Sequence, residues 1–480
     1  VNRLRSPDGF DAAEVQGNIL RGYHRSRVRH LVLEIADAAA ARRFLGAADG
    51  GEVGVPSITT EENWGDLKPD SCFNIGVTYA GLQALGVPAT SLASFPGEFI
   101  AGMNARAVKL GDIGPSAPET WDAPFTSPGV VHLIATIHAD DVVPLDRVQQ
   151  QVVTAGQGRA FILRSSRDGR NLDNDYVHFG YRDSLSQPRF AEIHDADRFA
   201  DAQPLAPLGS ILLGYETEYE GLMWSVPQPD ALGRNGSFNA FRILAQDVIG
   251  FEGYLDSAAR ELLADPLGDE LLPPGSEGSI GAGMSRHAAL REVVAAKLCG
   301  RWRNGVPLAL SPKTPHPDPP VSMTDYDYAS GEHTGGASCP FGAHGRRSNP
   351  RGCTIVQRGA RHTRRLVRRG IPYGPAYDPA KPDELERGLL GNFIGANLGA
   401  QFEALSCDWL NLGLQDPRIT GSNDPLLGAN AADTSWFDIP LTSGKTIRLR
   451  GLPLFVRTRG GAYTFLPGIP AIRYLAGLGR

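Results

Sequence analysis

The chain has 480 residues, 41% of them hydrophobic and 21% charged, with a formal net charge of −6. At about 150 residues per domain, that length implies two or three units of an ordinary globular protein. The weak negative charge excludes a general attraction to nucleic acid or anionic membrane, and no apolar run reaches the ~18 to 20 residues that a membrane span requires.

The stretch VNRLRSPDGFDAAEVQGNIL lacks the apolar core of a secretory signal, although a leader removed ahead of Val1 would leave the same start. Strand-like and helix-like pieces then alternate. VRHLVLEI (28–35) is rich in β-branched and aliphatic residues, and the helix formers of DAAAARRFL follow behind an Asp cap. CFNIGV reads as a strand, and Thr78 caps a short helix that ends near Gly86. VVHLIATIHAD (130–140) alternates as a strand, VVPLDRVQQQVVTAG reads as an amphipathic helix, and RAFILRS as another strand. Elements in this order suit a βαββαβ unit, a four-stranded antiparallel sheet with helices on one face.

A second set opens with GSFNAFRILAQDVIGFEGYL (236–255), a strand running into a helix. SRHAALREVVAAKLCGRW (285–302) is a helix, and LLGNFIGANLGAQFEALSCDWLN (389–411) a strand followed by a helix. Between them, residues 303–352 form a Pro- and Gly-rich stretch, and such a long loop is usually functional or disordered. Two α+β halves result, joined near 200–236. With five cysteines widely spread and no CxxC pair, the expectation is buried reduced thiols, a cytoplasmic setting and no zinc site.

Three segments carry candidate chemistry. In CPFGAHGRRSNPR (339–351), His344 stands among glycines, which leave room for a flat ligand, and Arg346, Arg347 and Arg351 can pair with anionic groups such as propionates. RHTRRLVRRGIPYG (361–374) is a dense basic run, of a kind that is most often a solvated face. HFGYRDSLSQPRF (178–190) places Asp183 just after a tight Gly turn, where a lone Asp is ordinarily a local cap.

Together these segments resemble the dye-decolorizing peroxidases. VQGNIL (15–20) sits near the start as in that family, and GYRDS followed by SQP matches its GxxDG signature with Ser184 in place of the last Gly. GSFNAFRILAQDV resembles the strand opening the family's second domain, and CPFGAHGRRSNPR its haem-ligand segment, with Gly345 where an aliphatic residue is common. LVRRGIPYG resembles the segment of the distal arginine, and residues 389–411 its C-terminal strand and helix. The resemblance runs from about residue 15 to 411, in order.

It implies an α+β fold of two ferredoxin-like halves of the dimeric α/β barrel type, with antiparallel sheets and peripheral helices. The first half (1–220) would carry the distal Asp loop and the second (221–480) the haem ligand. By resemblance, His344 is the proximal ligand of the iron of haem b, Asp183 the distal acid and Arg368 the distal arginine. Arg364, Arg365 and Arg369 are weaker candidates for that last role, and Asn397 is a guess for the acceptor behind His344. The implied activity reduces hydrogen peroxide and oxidises dyes, phenols or similar organic reductants through a ferryl intermediate, with an acidic optimum. Tyr373 is a candidate radical relay by proximity, although any one such aromatic is more often core. Ser184 strains the loop if its position needs φ > 0, and Gly345 loosens the proximal segment. These departures leave open a haem enzyme repurposed for one small molecule, or a non-catalytic haem-binding protein.

Overall fold

Asp37 starts the first long helix as expected: its carboxylate accepts from the Ala40 amide, and Ala38–Gly50 follows. Thr78 caps Tyr79–Ala84 in the same way through the Gly81 amide. The strands of this half are β1 (Arg27–Ile35), β2 (Ser71–Val77), β3 (Leu133–Ala139) and β4 (Phe161–Arg170). β1 is buried along nearly its whole length, Arg29 and His30 included, because both of its faces are covered. The computed structural model describes residues 9–65, 67–193, 205–218, 222–329, 334–352 and 364–479. Cys353, His333, residues 361–363 of the basic run and part of the proposed joint near 200–236 lie outside these.

The second half contributes β5 (Ser237–Gln246), β6 (Val367–Tyr373), β7 (Gly388–Gly395), β8 (Trp436–Pro440), β9 (Thr446–Arg450) and β10 (Val456–Leu466). β8 and β9 pair as a separate hairpin, and the others join the first four in one sheet of order β4-β1-β3-β2-β10-β5-β7-β6. Each half thus repeats one arrangement, its fourth strand beside its first, then its third, then its second, with antiparallel neighbours. That is the ferredoxin-like pattern twice over, and β10 joins the halves where Phe465 faces Val77 of β2.

The sheet curls until its edges meet. A Cβ at Gly169 of β4 would lie 2.4 Å from Ile371 Cγ2 and 3.1 Å from the Pro372 carbonyl of β6, so the bare glycine lets the strands touch. The VQGNIL segment fastens one region of this barrel. Gln16 donates to the carbonyls of Ile75 and Pro467, and buried Glu61 accepts from the amides of Ile19, Leu20 and Arg21. Helices Val248–Ala264 and Arg286–Cys299 build a second core outside the sheet. Among the described residues no helix is long and apolar enough to cross a membrane.

Candidate functional site

His344 opens a five-residue helix, His344–Ser348, inside the long irregular stretch. Its Nδ1 lies 3.0 Å from Asp424 Oδ2, and since an ionised carboxylate only accepts, the proton sits on Nδ1. Nε2 is left with its lone pair, and it makes no hydrogen bond among the described residues. Asp424 is fully buried, and its Oδ1 accepts from the amides of Leu426 and Leu427 at 2.9 Å each. Burial pushes this carboxyl up, but the His344 ring, Arg347 and the Leu427 amide outweigh it and hold the group below its ordinary range. A buried anion behind an imidazole makes the free ring nitrogen a stronger ligand.

Asn397 does not fill this place. Its side chain caps the helix that begins at Leu398, accepting from the Ala400 amide. The nearby arginines also differ from expectation. Arg347 is buried and donates to the carbonyls of Gly342, Trp409 and Ser422 and to the Ser422 hydroxyl. Burial lowers its guanidinium to about 10. Arg346 donates to the Cys339 carbonyl and stacks between Tyr328 and Phe341. Both hold the segment's shape, with their hydrogen bonds turned toward protein. The glycines do the same: a Cβ on Gly345 would sit 3.1 Å from the Cys299 carbonyl, so its bareness seats the short helix against its neighbour.

Arg351 points the other way. It donates to the carbonyls of Thr324 and Tyr326 and, at 3.3 Å, to the hydroxyl of Ser186 in the Asp183 loop. That loop is tied by the Asp183 amide to the Asp175 carbonyl and by the Arg182 amide to the Arg303 carbonyl. Ser184 adopts φ +61°, so the strain foreseen from its side chain is present.

Of the four candidate arginines, Arg368 reaches this loop. Its Nη2 donates to the Ser186 carbonyl at 2.7 Å. Arg369, next along β6, points to the opposite face and donates to the carbonyls of Asn18 and Ile19. Arg364 pairs with Asp408 and stacks on Trp409, and the Arg365 carbonyl accepts from Gln401. Arg368 is accessible to water although many protein atoms surround it. Burial lowers its guanidinium from the ordinary value; Asp183 opposes that shift, while Arg301 and Arg351 reinforce it. Around Arg368, two further guanidiniums against one carboxylate leave a positive excess that suits an anionic ligand.

Residues 299–305 link the two sides. Cys299 backs Gly345, Arg301 faces Arg368, Arg303 receives the Arg182 amide, and Gly305 makes room for Leu185. Among the described residues no three His, Cys, Asp or Glu side chains gather around a bare ion, so an ion on His344 would bring its other ligands with it. The set fits a flat, anionic, iron-bearing macrocycle: one free imidazole nitrogen, and a cationic pocket with one carboxylate. A separate open cleft of about 660 Å³, lined by Ser57, Thr60, Glu62, Trp64 and Arg147, holds none of these groups.

Tyr373, at the end of β6, donates its hydroxyl to Glu386 at 3.0 Å, and its carbonyl faces His178 Nε2 at 2.8 Å. Asp424 and its role were missed in the sequence. The signal was its place in SNDPLL, an Asp before Pro, as in a turn.

No protein-family model matches the chain. It is 28% identical to Peroxidase 2 of Mycetinis scorodonius, over 97% of this chain and 87% of that one. It is also 28% identical to Multifunctional dye peroxidase DyP2 of Amycolatopsis sp., over 96% and 95%. Among solved structures, a dye-decolorizing peroxidase in complex with 2,6-dimethoxyphenol superimposes with a TM-score of 0.77 at 26% identity, covering 98% of this chain and all of that one. The likeness therefore extends past residue 411, through β8, β9 and β10.

Proposed function

We propose that this chain, a homologue of the dye-decolorizing peroxidases along nearly its whole length, is a haem b peroxidase that reduces hydrogen peroxide and oxidises dyes, phenols or similar organic reductants. The observation that carries this reading is the His344–Asp424 pair with Nε2 left free. His344 would hold the iron, and Arg351, Arg301 and Arg368 would neutralise the anionic edge of the macrocycle. Bound haem supplies the redox chemistry that cleaves the O–O bond and stores the oxidising equivalents.

The chain's own residues move the proton. Asp183 takes it from one peroxide oxygen and returns it to the other, which leaves as water. Arg368 stays charged and stabilises the negative charge growing on the departing oxygen. Tyr373 serves as the relay for reductants too bulky for the cavity. Its hydrogen bond to Glu386 lets a proton leave with the electron and come back with the next one. The domain division at 1–220 and 221–480 and a cytoplasmic setting belong to the same proposal; the four described cysteines are all free.

Stopped-flow mixing of haem-loaded protein with peroxide tests it. A rapid change in the haem spectrum, lost in Asp183→Ala and Arg368→Ala, is the expected result. Absence of a Soret band after reconstitution overturns the cofactor, and unchanged rates in both variants overturn the distal roles. With dye or phenol the rate should peak at acidic pH; an alkaline optimum contradicts a carboxylate shuttle.

A further inference from the structure

β6 ends the hydrogen-bonded order of the sheet, and although β4 packs against it near Ile371 and Pro372, no ladder satisfies the backbone groups on that side. At Arg368 a side chain meets them instead. The Arg368 amide donates to Gln187 Oε1 at 3.0 Å, and Gln187 Nε2 donates to the Arg368 carbonyl at 2.8 Å. The amide orientation follows from this pairing, because a flipped side chain would set donor against donor and acceptor against acceptor. The residue before it, Ser186, accepts from Arg368 Nη2 and, through its hydroxyl, from Arg351. Two consecutive residues of the Asp183 loop therefore hold Arg368 by backbone and by guanidinium.

We propose that Gln187 is a positioning residue for the peroxide reaction: its carboxamide stands in for a missing strand and fixes the distance between Asp183 and Arg368. Glutamine suits the task. Asparagine is one methylene short, leucine has no polar atoms, and ionised glutamate accepts but cannot donate. The loop needs such a clasp because its own backbone is under tension, with Ser184 left-handed one residue after the acid. Misplacement of about 1 Å between reacting groups costs roughly 100-fold in rate. The inference rests on the peroxidase reading above.

The deciding variant is Gln187→Glu. Protonated, its carboxyl copies the amide, with O–H donating to the Arg368 carbonyl and C=O accepting from the amide. Ionised, it loses the donor and sets a negative charge against that carbonyl. The peroxide rate constant of haem-loaded Gln187→Glu should match wild type at acidic pH and fall 10- to 100-fold below it as the carboxyl ionises. Gln187→Ala should be slow at every pH, with the KM for dye unchanged. In haem-free protein, hydrogen exchange at the Arg368 amide should quicken about 10-fold in Gln187→Ala and, only at the higher pH, in Gln187→Glu. Wild-type exchange in both variants overturns the clasp, and a wild-type pH profile in Gln187→Glu overturns its part in the reaction. The exchange measurement needs no haem, so it still decides the clasp if wild-type protein fails to react with peroxide, a failure that would sink the peroxidase reading instead.

Discussion

The His344 side and the Arg368 side of the site are built in opposite ways. Behind His344 the polar groups are sunk in protein: Asp424 is fully buried, with its two oxygens shared among one ring and two amides, and Arg347 is clamped by three carbonyls. Around Arg368 the groups are accessible to water, sit on a loop and an outer strand, and depend on a few contacts made by Ser186 and Gln187. The contrast suits the roles proposed for the two sides. An axial ligand must keep one atom in one place, which rigid burial favours, and a proton shuttle must meet peroxide and release water, which favours an open wall and fewer restraints.

Each side can be broken separately. The largest effect belongs to His344→Ala, which should abolish axial coordination and peroxide turnover; a retained ligand signature in the spectrum of the loaded variant would contradict the assignment. Asp424→Asn should be milder, weakening activity or iron ligation roughly 10- to 100-fold. On the open side, Asp183→Ala should slow the peroxide reaction by roughly 10²- to 10⁴-fold while leaving the haem spectrum of the resting protein nearly unchanged.

A pH series sharpens the contrast further, since the barrel beneath disfavours the acid pH at which the proposed shuttle should work best. His30 is buried, and burial lowers its ring to about 3. The unfolded chain then takes up the proton first as pH falls. The stability this group contributes is full above about pH 6.5 and is lost on the way down toward pH 3. At pH 5 the loss is about 2 kcal/mol, and buried His138 acts in the same direction. Denaturant midpoints at pH 7 and pH 5 should differ accordingly, with a smaller gap in His30→Asn. The smallest effect is expected from Ser184→Gly, which should add up to about 1 kcal/mol by removing the left-handed strain. An unchanged midpoint would mean that the loop holds no such strain.

The first half was legible because its signals are local: Asp37 and Thr78 cap helices where the sequence put them, and β1 and β3 are rich in aliphatic and β-branched residues. β6 was hidden, since VRRGIPY shows neither alternation nor an apolar run and its basic residues suggested a solvated face. β10 was hidden by RTRGG, where the register shifts between Thr458 and Gly460 and a Cβ on Gly460 would meet Phe125 at 2.6 Å. The site residues divided along similar lines. His344, Asp183 and Arg368 were assigned by resemblance, whereas the contacts of Asp424 and Gln187 are with residues 80 and 181 positions away in sequence, which no local pattern records. Arg346 and Arg347 were assigned to a ligand because charge was visible in the sequence and their backbone acceptors were not.

Where β4 meets β6, the cylinder is shut by packing rather than by a ladder, for the hydrogen-bonded order begins with one of these strands and ends with the other. Like a hoop with an unwelded joint, it can part along that line without breaking ladder bonds. The thinness of Gly169 is what keeps the joint flush, and a single methyl at that position would act as a wedge.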